Sequence, residues 1–434
     1  MHMYKSFFTL ALASVALGLD KDTLSAVTIT NVGSVRGNIF LPATAIDGSK
    51  ITWSSSNPDV ISADGIVKRQ PQDTDLTLTA TAADGTQSFT REFAAKVIKS
   101  YTVGEMAGYG FAFFTGNSIE GENIYFASSV GNNALQWQEL NDNKPVLRSN
   151  FGTKGLRDPF IIRSQEGDVF YLIATDLSIG SGTSWGDSVR TGSRYLEIWE
   201  STDLKTWSEQ RHVLVSPETA GNTWAPEAFY DENQGAYIVY WASSLYPVDD
   251  KEHTSSTYHR MMYATTRDFV NFSEAKVWQD SKASLIDSTV IKNGVNFHRF
   301  TKDESSTSGC TDIIQTRSND LLATVDRWTV IDTCIGQKAG AKAVEGPTVF
   351  KSNPGDANGD KYYLFIDEYG GRGYIPLETA DIEKPEWKVS SGYTLPKSPR
   401  HGTVIPLTAS ELTNLNAVKS VSARSNEAGK LWIA

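Results

Sequence analysis

The stretch Phe170-Tyr171-Leu172-Ile173-Ala174-Thr175-Asp176 decides the fold, because short apolar runs of the same kind recur along the chain. The other copies lie at residues 110–116, 237–243, 297–303 and 362–368. Consecutive copies start 60, 67, 60 and 65 residues apart. β units that repeat at this spacing are typical of the blades of a β-propeller. The repeats therefore predict an all-β fold with five blades over residues 105–434.

Each predicted blade opens with an apolar strand that follows a polar or charged residue. These openings lie at residues 157–162, 224–229, 286–291, 344–349 and 400–405. The first strand of every propeller blade lines the central axis, so equivalent positions converge on one funnel. The fifth blade would combine strands near 108–140 with the strand after His401, which closes the ring without free edges. The side chains that this registration brings to the funnel are Asp158, Glu227, Asp287, Glu345 and His401.

A ring of carboxylates is costly, because like charges in a partly dry site raise each other's pKa. Glycoside hydrolysis uses such a set: one carboxylic acid protonates the leaving oxygen, and another carboxylate activates water or attacks the sugar. The alternative is that these side chains cap strand ends or bind a structural cation. The ordered set, repeated blade by blade, favours a glycosidase site.

Four motifs carry a resemblance to a known family. They are Arg157-Asp158-Pro159, Trp224-Ala225-Pro226-Glu227, Ile286-Asp287 and Val344-Glu345-Gly346-Pro347. With these spacings, residues from about 105 to 415 resemble glycoside hydrolase family 43. The resemblance implies a five-bladed propeller that cleaves arabinose- or xylose-containing glycans with inversion.

The resemblance also implies roles for individual residues. Asp158 resembles the general base, Asp287 the residue that tunes the pKa of the acid and orients substrate, and Glu345 the general acid. His401 resembles the axial histidine, which helps to hold a central metal ion or water. No cofactor is expected to be required, and an axial calcium ion is the metal that the resemblance would allow. Ser288 departs from the family, because many members have proline after the aspartate.

Three further residues are candidate substrate contacts. Glu227 stands where the family frequently has Asp; it would organise the funnel or touch a sugar hydroxyl, and a purely structural role is the alternative. Trp224 would offer a face for sugar stacking or belong to the core. Arg372, in the glycine-rich segment 370–374, would reach a sugar hydroxyl or remain a solvated loop arginine.

Residues 19–99 have a different pattern of polar and apolar residues from the repeats. Short runs such as 51–53 and 76–80 alternate polar and apolar positions between turn residues, which predicts a β-sandwich of about seven strands. The segments 51–61, 64–67 and 78–82 resemble bacterial Ig-like modules. This part of the sequence has no cluster of titratable residues, so we expect a spacer or packing role.

Residues 1–18 have the pattern of an export signal. Lys5 precedes the apolar stretch 7–17, and Ala16 and Gly18 suit the −3 and −1 positions of a cleavage site. A buried first helix is the alternative. We therefore expect a secreted, extracellular protein. In an oxidising compartment the two cysteines, Cys310 and Cys334, would form a disulfide, with two buried free thiols as the alternative.

The composition argues against two classes of partner. The 434 residues include 40 Lys and Arg against 51 Asp and Glu, a net charge of −11 that repels phosphate backbones. No apolar run after the N-terminus reaches the roughly 20 residues that span a bilayer. We expect neither nucleic acid nor a membrane as a partner. A monomer acting on a plant polysaccharide or oligosaccharide is the expected state.

These observations predict a secreted exo-acting α-L-arabinofuranosidase. The carboxylate set predicts the enzyme class, whereas the family resemblance alone predicts the sugar. β-Xylosidase and galactofuranosidase activities are alternatives, because loops shape the pocket walls. A non-catalytic carbohydrate-binding propeller on an Ig-like stalk is an alternative of another class. The three acids Asp158, Asp287 and Glu345 argue against it, since a binding module needs neither an acid nor a base.

Overall fold

A computed structural model describes residues 22–84 and 86–420. The predicted export signal at residues 1–18 therefore lies outside the described residues. The chain divides into two compact units after Ser100. Within the described ranges, no helix combines the length and the apolar character that a membrane crossing requires.

The first unit contains one antiparallel sheet with the strand order β1-β2-β3. Its strands are β1 (Ile51–Ser55), β2 (Thr74–Ala83) and β3 (Ser88–Val97), and a 3-10 helix spans Val32–Ser34. Every second residue of β2 from Leu76 to Ala82 is buried. This period of two is the pattern of a strand with one face on a core.

The layer that faces this sheet is irregular. Three strands form among the described residues of the unit, so the prediction of about seven strands is wrong. Loop residues Val35 and Ile39 complete the core, and an isolated bridge joins Ile61 to Val67. The Trp53 indole N–H donates to the Pro42 carbonyl at 2.8 Å and ties a further loop to the sheet. Extended loops bury alternate residues as strands do, which is why the sequence pattern did not separate them.

The second unit is built almost entirely of strands. They are β4 (Met106–Phe113), β5 (Tyr125–Ser129), β6 (Trp137–Glu139), β7 (Leu156–Arg163), β8 (Phe170–Asp176), β9 (Tyr195–Ser201), β10 (Arg211–Leu214), β11 (Trp224–Asp231), β12 (Ala236–Ser244), β13 (His259–Thr266), β14 (Lys276–Gln279), β15 (Leu285–Asn293), β16 (Asn296–Asp303), β17 (Ile313–Ser318), β18 (Thr329–Asp332), β19 (Glu345–Lys351), β20 (Tyr362–Glu368), β21 (Gly373–Thr379), β22 (Lys388–Val389) and β23 (Gly402–Thr408). The helices are α1 (Trp185–Arg190), α2 (Ile335–Lys338) and α3 (Ala409–Asn416), with 3-10 turns at Asn141–Asn143 and Val325–Arg327.

These strands form five four-stranded antiparallel sheets. Sheet I has the order β23-β4-β5-β6 and so joins the two ends of the unit. Sheets II, III, IV and V contain β7–β10, β11–β14, β15–β18 and β19–β22, each in sequence order. The strands β7, β11, β15, β19 and β23 are neighbours in a closed cycle. These five strands therefore surround one axis.

The middle strands are buried on both faces, which explains their continuous apolar runs. In β8, Leu172 packs into the apolar cluster shared with sheet I, and Ile173 packs into the cluster shared with sheet III. In β20, Leu364 and Phe365 likewise pack toward sheets IV and I. Successive side chains of a strand point to opposite faces, so each sheet supplies a core to both neighbours.

One covalent link occurs within the second unit. Cys310 and Cys334 form a disulfide with an S–S distance of 2.02 Å. It connects the loop after β16 to the residue that precedes α2.

Candidate active site

Four of the axial strands share a β-bulge near their start. In β7, β11, β15 and β19, two residues stand opposite one residue of the second strand. The first residue of each bulge has a positive φ: Asp158 (50°), Ala225 (49°), Asp287 (51°) and Gly346 (55°). For a residue other than glycine this conformation costs about 1 kcal/mol or more. The bulge therefore gives Asp158 and Asp287 the same backbone placement in two different sheets.

The predicted alignment of the openings holds in β7, β11 and β15, where Asp158, Ala225 and Asp287 correspond, and is one residue off in β19. Glu345 lies one residue before the bulge of its strand, and Glu227 lies two residues after the first bulge residue of β11. Gly346 occupies the bulge position of β19, where a Cβ would lie 2.6 Å from the Cβ of His401. Because only glycine fits there, the acid of this strand is on the preceding residue.

His401 lies between two of the carboxylates. Its Nδ1 is 3.4 Å from Asp158 Oδ1 and 4.0 Å from Asp287 Oδ2. Burial lowers the pKa of His401, but the hydrogen bond to Asp158 and the charges of Asp287, Asp158 and Glu227 outweigh burial and raise that pKa to about 9. His401 is therefore a cation at neutral pH, and it holds together residues from sheets I, II and IV.

Asp158 is stabilised in its ionised form. Its Oδ2 accepts a hydrogen bond from the Thr175 hydroxyl at 2.9 Å, and that hydroxyl accepts one from the Ala225 N–H at 2.8 Å. Burial acts to raise the pKa of Asp158, but His401, Arg157 and Thr175 together hold that pKa below its ordinary value. Asp158 is thus a carboxylate at neutral pH.

The positive charge of Arg157 is fixed beside Asp158 by buried contacts. Its Nη1 donates to Glu122 Oε1 at 3.0 Å and to Asn117 Oδ1 at 2.7 Å. Its guanidinium lies 4.5 Å from the centre of the Phe114 ring. An arginine held by a buried partner on each side keeps its charge in place without reaching the solvent.

Asp287 has the bulge conformation of Asp158 but fewer stabilising contacts. Its Oδ2 accepts a hydrogen bond from the Gly346 N–H at 3.0 Å. Burial raises the pKa of Asp287 to about 6; His401 opposes this rise, and the charge of Asp158 adds to it. Asp287 is therefore ionised at neutral pH, but less firmly than Asp158.

Glu345 is the most open of the three acids, with 29% of its side chain exposed. Its Oε1 accepts a hydrogen bond from Arg400 Nη2 at 3.2 Å, and Arg400 also pairs through Nε with Asp367. Burial, followed by the charges of Asp287 and Asp367, raises the pKa of Glu345 to about 8, against the opposing charge of Arg400. Glu345 therefore keeps its proton at neutral pH.

Glu227 lies near the axis but is closed to solvent, with 3% exposed. Its Oε2 accepts a hydrogen bond from the Tyr240 hydroxyl at 3.1 Å. Burial raises the pKa of Glu227 to about 8, and the charge of His401 opposes this rise. Such a buried, neutral acid favours the predicted role in organising the funnel over contact with a sugar hydroxyl.

Trp224 and Trp185 form an aromatic pair beside Arg157. Trp224 is partly exposed; its ring packs edge-on to Trp185 at 6.3 Å and stacks on His259 at 5.3 Å. Trp185, on α1, is half-exposed, and its ring centre lies 5.3 Å from the Arg157 guanidinium. Trp185 was not among the residues that the sequence pattern predicted. Its position in the glycine- and serine-rich segment 180–186 was the available signal, since a tryptophan there has no strand or core to join.

Arg372 is not brought into this cluster. It is half-exposed on the turn between β20 and β21, and its Nε and Nη2 donate to the Glu368 carboxylate at 2.6 and 3.2 Å. The exposure of Arg372 and its ion pair with Glu368 favour the predicted alternative of a loop arginine, and contact with a sugar hydroxyl stays a prediction. The arginine at Glu345 is Arg400, which sequence reasoning missed although it directly precedes His401.

His401 faces Asp158 and Asp287 on the axis, and these are the side chains that would hold an axial ion or water. Calcium takes six to eight oxygen ligands, so further oxygens would have to complete its coordination. Within residues 22–84 and 86–420, one group of three ionisable side chains has potential ligand atoms within 4.8 Å of one another. That group lies on sheet II and includes none of the axial acids.

The axial cluster combines a protonated acid with an ionised one. Environments that separate the pKa values of two carboxyl groups in this way assign one as proton donor and the other as proton acceptor. Glu345 has the first form and Asp158 the second. The arrangement can therefore protonate a leaving oxygen and deprotonate a water molecule.

Two family models match most of the chain. One, described as a probable glycosyl hydrolase domain and related to glycoside hydrolase family 43, covers residues 104–413; the other, an atrophied bacterial Ig domain, covers residues 18–100. An α-L-arabinofuranosidase of Bifidobacterium longum subsp. longum is 34% identical over 391 residues, which is 79% of this chain. The chain spans 36% of the length of that relative.

Solved structures with similar chains include two arabinanases. The α-L-arabinanase of Cellvibrio cellulosa, complexed with arabinohexaose, has 10% identity and a TM-score of 0.42, over 75% of this chain and 96% of that one. An exo-1,5-α-L-arabinanase from a bovine ruminal metagenomic library has 11% identity and a TM-score of 0.43, over 67% of this chain and 99% of that one.

Proposed function

The chain belongs to the glycosyl hydrolases related to glycoside hydrolase family 43, and from this premise we propose that its second unit is a five-bladed β-propeller with exo-α-L-arabinofuranosidase activity. Five four-stranded sheets, whose axial strands are neighbours in a closed cycle, support five blades. The observation that carries the proposed activity is the placement of Asp158, Asp287 and Glu345, from three different sheets, around His401 and Arg400.

In the proposed mechanism a single displacement inverts the anomeric centre. Glu345 donates its proton to the glycosidic oxygen as the bond from that oxygen to the anomeric carbon breaks. Asp158 removes a proton from the water molecule whose oxygen forms the new bond on the opposite face. Asp287 raises the pKa of Glu345 through its negative charge, so that the acid is still protonated at neutral pH. His401 keeps the two aspartates close to each other despite their like charges.

The proposed sugar is arabinofuranose. The Bifidobacterium relative, named as an α-L-arabinofuranosidase, supports this choice at 34% identity. β-Xylosidase and galactofuranosidase activities on the same scaffold are the alternatives that a substrate panel separates.

We further propose a secreted, monomeric enzyme that acts on plant cell-wall polysaccharides and requires no cofactor. The disulfide between Cys310 and Cys334 suits an oxidising compartment. An axial calcium ion beside His401 is the one metal that the family resemblance would allow. The first unit, with one sheet and an irregular facing layer, would serve as a spacer or packing module.

The proposed acid is tested by the dependence of the rate on the leaving group. Glu345→Gln should lower kcat/KM by about 10²–10⁴-fold on 4-nitrophenyl α-L-arabinofuranoside. Glu345→Gln should lower kcat/KM far less on the 2,4-dinitrophenyl glycoside, because that leaving group needs no proton. Proton NMR of the first product should show the inverted anomer.

The matched control is Glu218→Gln, a highly exposed glutamate that should behave as wild type. Equal losses for Glu345→Gln with both leaving groups would contradict the acid assignment. Turnover of xylosides or galactofuranosides, but not of arabinofuranosides, would contradict the proposed sugar and support one of the two alternative activities. If the protein hydrolysed none of these three substrate classes, the result would favour the alternative of a non-catalytic carbohydrate-binding propeller.

A further inference from the structure

A second cluster of ionisable side chains lies on sheet II, away from the axial acids. Asp176 ends β8, Glu197 belongs to β9, and His212 belongs to β10. Glu197 pairs in register with both Ala174 and His212, and Asp176 is two residues beyond Ala174. The three side chains therefore share one face of three adjacent strands, and potential ligand atoms from all three lie within 4.8 Å of one another.

This cluster contains two buried carboxyl groups, and three of their four oxygens have partners: Thr153 at Asp176 Oδ1, and His212 and Gln210 at the two oxygens of Glu197. Asp176 is 2% exposed and Glu197 is fully buried. Asp176 Oδ1 accepts hydrogen bonds from the N–H and hydroxyl of Thr153, both at 2.8 Å. Asp176 Oδ2 is buried without a hydrogen-bond partner. A buried carboxylate oxygen in this state is costly unless a positive charge or a donor faces it.

The backbone of Gly152 packs directly against the Asp176 carboxylate. Gly152 has a φ of 53°, and a Cβ on it would lie 1.9 Å from Asp176 Oδ2. The carboxylate therefore occupies the volume that a side chain at residue 152 would need. Glycine both adopts this φ and permits the close approach that fixes the position of the carboxylate.

The third ligand is held in place by aromatic contacts. The His212 ring stacks on Tyr195 at 4.0 Å with an interplanar angle of 5°, and Phe151 stacks at 5.6 Å with an angle of 15°. His212 Nδ1 lies 2.5 Å from Glu197 Oε1. These contacts hold the imidazole in one orientation beside Glu197, as a preorganised binding site requires.

We propose that Asp176, Glu197 and His212 bind a divalent first-row transition metal ion of the zinc or manganese class. Two carboxylates balance the charge of a divalent ion, and the imidazole then binds in its neutral form. The nitrogen ligand and the set of only three protein ligands disfavour calcium, which takes six to eight oxygens. The ion would cross-link β8, β9 and β10 and, through Thr153, the loop before β7. Its role is structural and separate from the axial chemistry.

The test is direct ion binding by the full chain without an affinity tag. Protein stripped with EDTA is dialysed against ZnCl₂, MnCl₂ or CaCl₂, and bound metal is measured by elemental analysis. We expect one zinc or manganese ion per chain and a higher Tm with either ion, but no calcium-dependent change. Asp176→Asn and His212→Gln should each weaken binding by at least about tenfold.

Two variants make the result specific. His212→Gln removes the partly exposed ligand, so it should fold and lose binding even if Asp176→Asn fails to fold. Glu200→Gln removes a second acid of β9, the partner of Arg211, and it should bind metal as wild type does. A stripped protein that takes up neither ion would overturn the proposal. Uptake that the variants at residues 176 and 212 leave unchanged would overturn it equally.

Discussion

The first strands of sheets II and IV carry the same bulge with an aspartate at the same position, yet the two carboxyl groups differ in protonation behaviour. The φ angles of Asp158 and Asp287 are 50° and 51°. His401 Nδ1 lies 3.4 Å from Asp158 and 4.0 Å from Asp287, and only Asp158 accepts the Thr175 hydroxyl. The pKa of Asp158 is below its ordinary value, whereas the pKa of Asp287 is about 6.

The comparison separates two contributions to the site. The repeated bulge brings Asp158 and Asp287 to the axis from two different sheets, because the backbone of the unit repeats. The neighbours of each acid do not repeat. In the proposed mechanism they decide which carboxylate takes a proton from water and which acts through its charge on Glu345. Substitutions that alter the neighbours test this division of roles.

The largest effect is expected at the proposed base. Asp158→Asn should lower kcat/KM by about 10⁴-fold, because an amide cannot accept the proton of the attacking water. A better leaving group should not restore the rate, in contrast to the acid variant. Steady-state kinetics on the two nitrophenyl arabinofuranosides would measure both effects. If Asp287→Asn lost more activity than Asp158→Asn, the roles of the two aspartates would be reversed.

A smaller effect, with a defined pH signature, is expected at the second aspartate. In the wild type, kcat/KM should fall as the pH rises through the pKa of Glu345, about 8, because the acid loses its proton. Asp287→Asn removes a negative charge that raises this pKa, so the alkaline limb should move to lower pH and the rate should fall by about 10–100-fold. Asp59→Asn, exposed in the first unit, should leave the pH profile unchanged. An unmoved alkaline limb in Asp287→Asn would refute the role of its charge.

Thr175 tests the contact that distinguishes the two aspartates. Thr175→Val removes the donor to Asp158 and the acceptor of the buried Ala225 N–H. The acid limb of kcat/KM should move to higher pH, because the pKa of Asp158 rises without that hydrogen bond. The free energy of unfolding should fall by about 1–3 kcal/mol. Thr175→Ser keeps the hydroxyl, so its acid limb and its free energy of unfolding should both be close to those of the wild type. If the serine variant were as impaired as the valine variant, the effect would come from side-chain packing and not from the hydrogen bond.

The smallest effect is expected at the aromatic pair on the Asp158 side of the axis. Trp185→Ala should raise KM for arabino-oligosaccharides by about 3–10-fold, the loss of roughly 1 kcal/mol of stacking. It should leave kcat on small aryl arabinofuranosides unchanged, and Trp185→Phe should preserve most of the affinity. A matching fall in kcat for both substrate types would indicate that Trp185 acts by holding Arg157 instead of contacting sugar.

Local sequence patterns were sufficient to predict the features that one short segment of the chain specifies. The repeated apolar runs predicted the middle strands, because strands buried on both faces are apolar throughout. The ordered motifs located Asp158, Asp287 and Glu345 before any contact was known. In the first unit the same kind of pattern predicted too many strands, because it reports burial and not hydrogen bonding.

Tertiary contacts were needed where the partners are far apart in the chain. The displacement of Glu345 by one residue follows from the contact of Gly346 with His401, which lies 55 residues later. The ion pair of Arg400 with Glu345 and the cluster of Asp176, Glu197 and His212 likewise depend on how strands pair. The spacing of residues within one segment does not reveal such contacts.

By itself the sequence determined the all-β class, the repeat spacing and the identity of the acids, because periodicity and residue type are local properties. Only the tertiary structure decided which acid is ionised, which is protonated, and where a carboxylate oxygen stays unpartnered. The physical reason is that burial and charge–charge interactions depend on distances between atoms in space, and folding sets those distances through contacts that neighbouring residues do not specify.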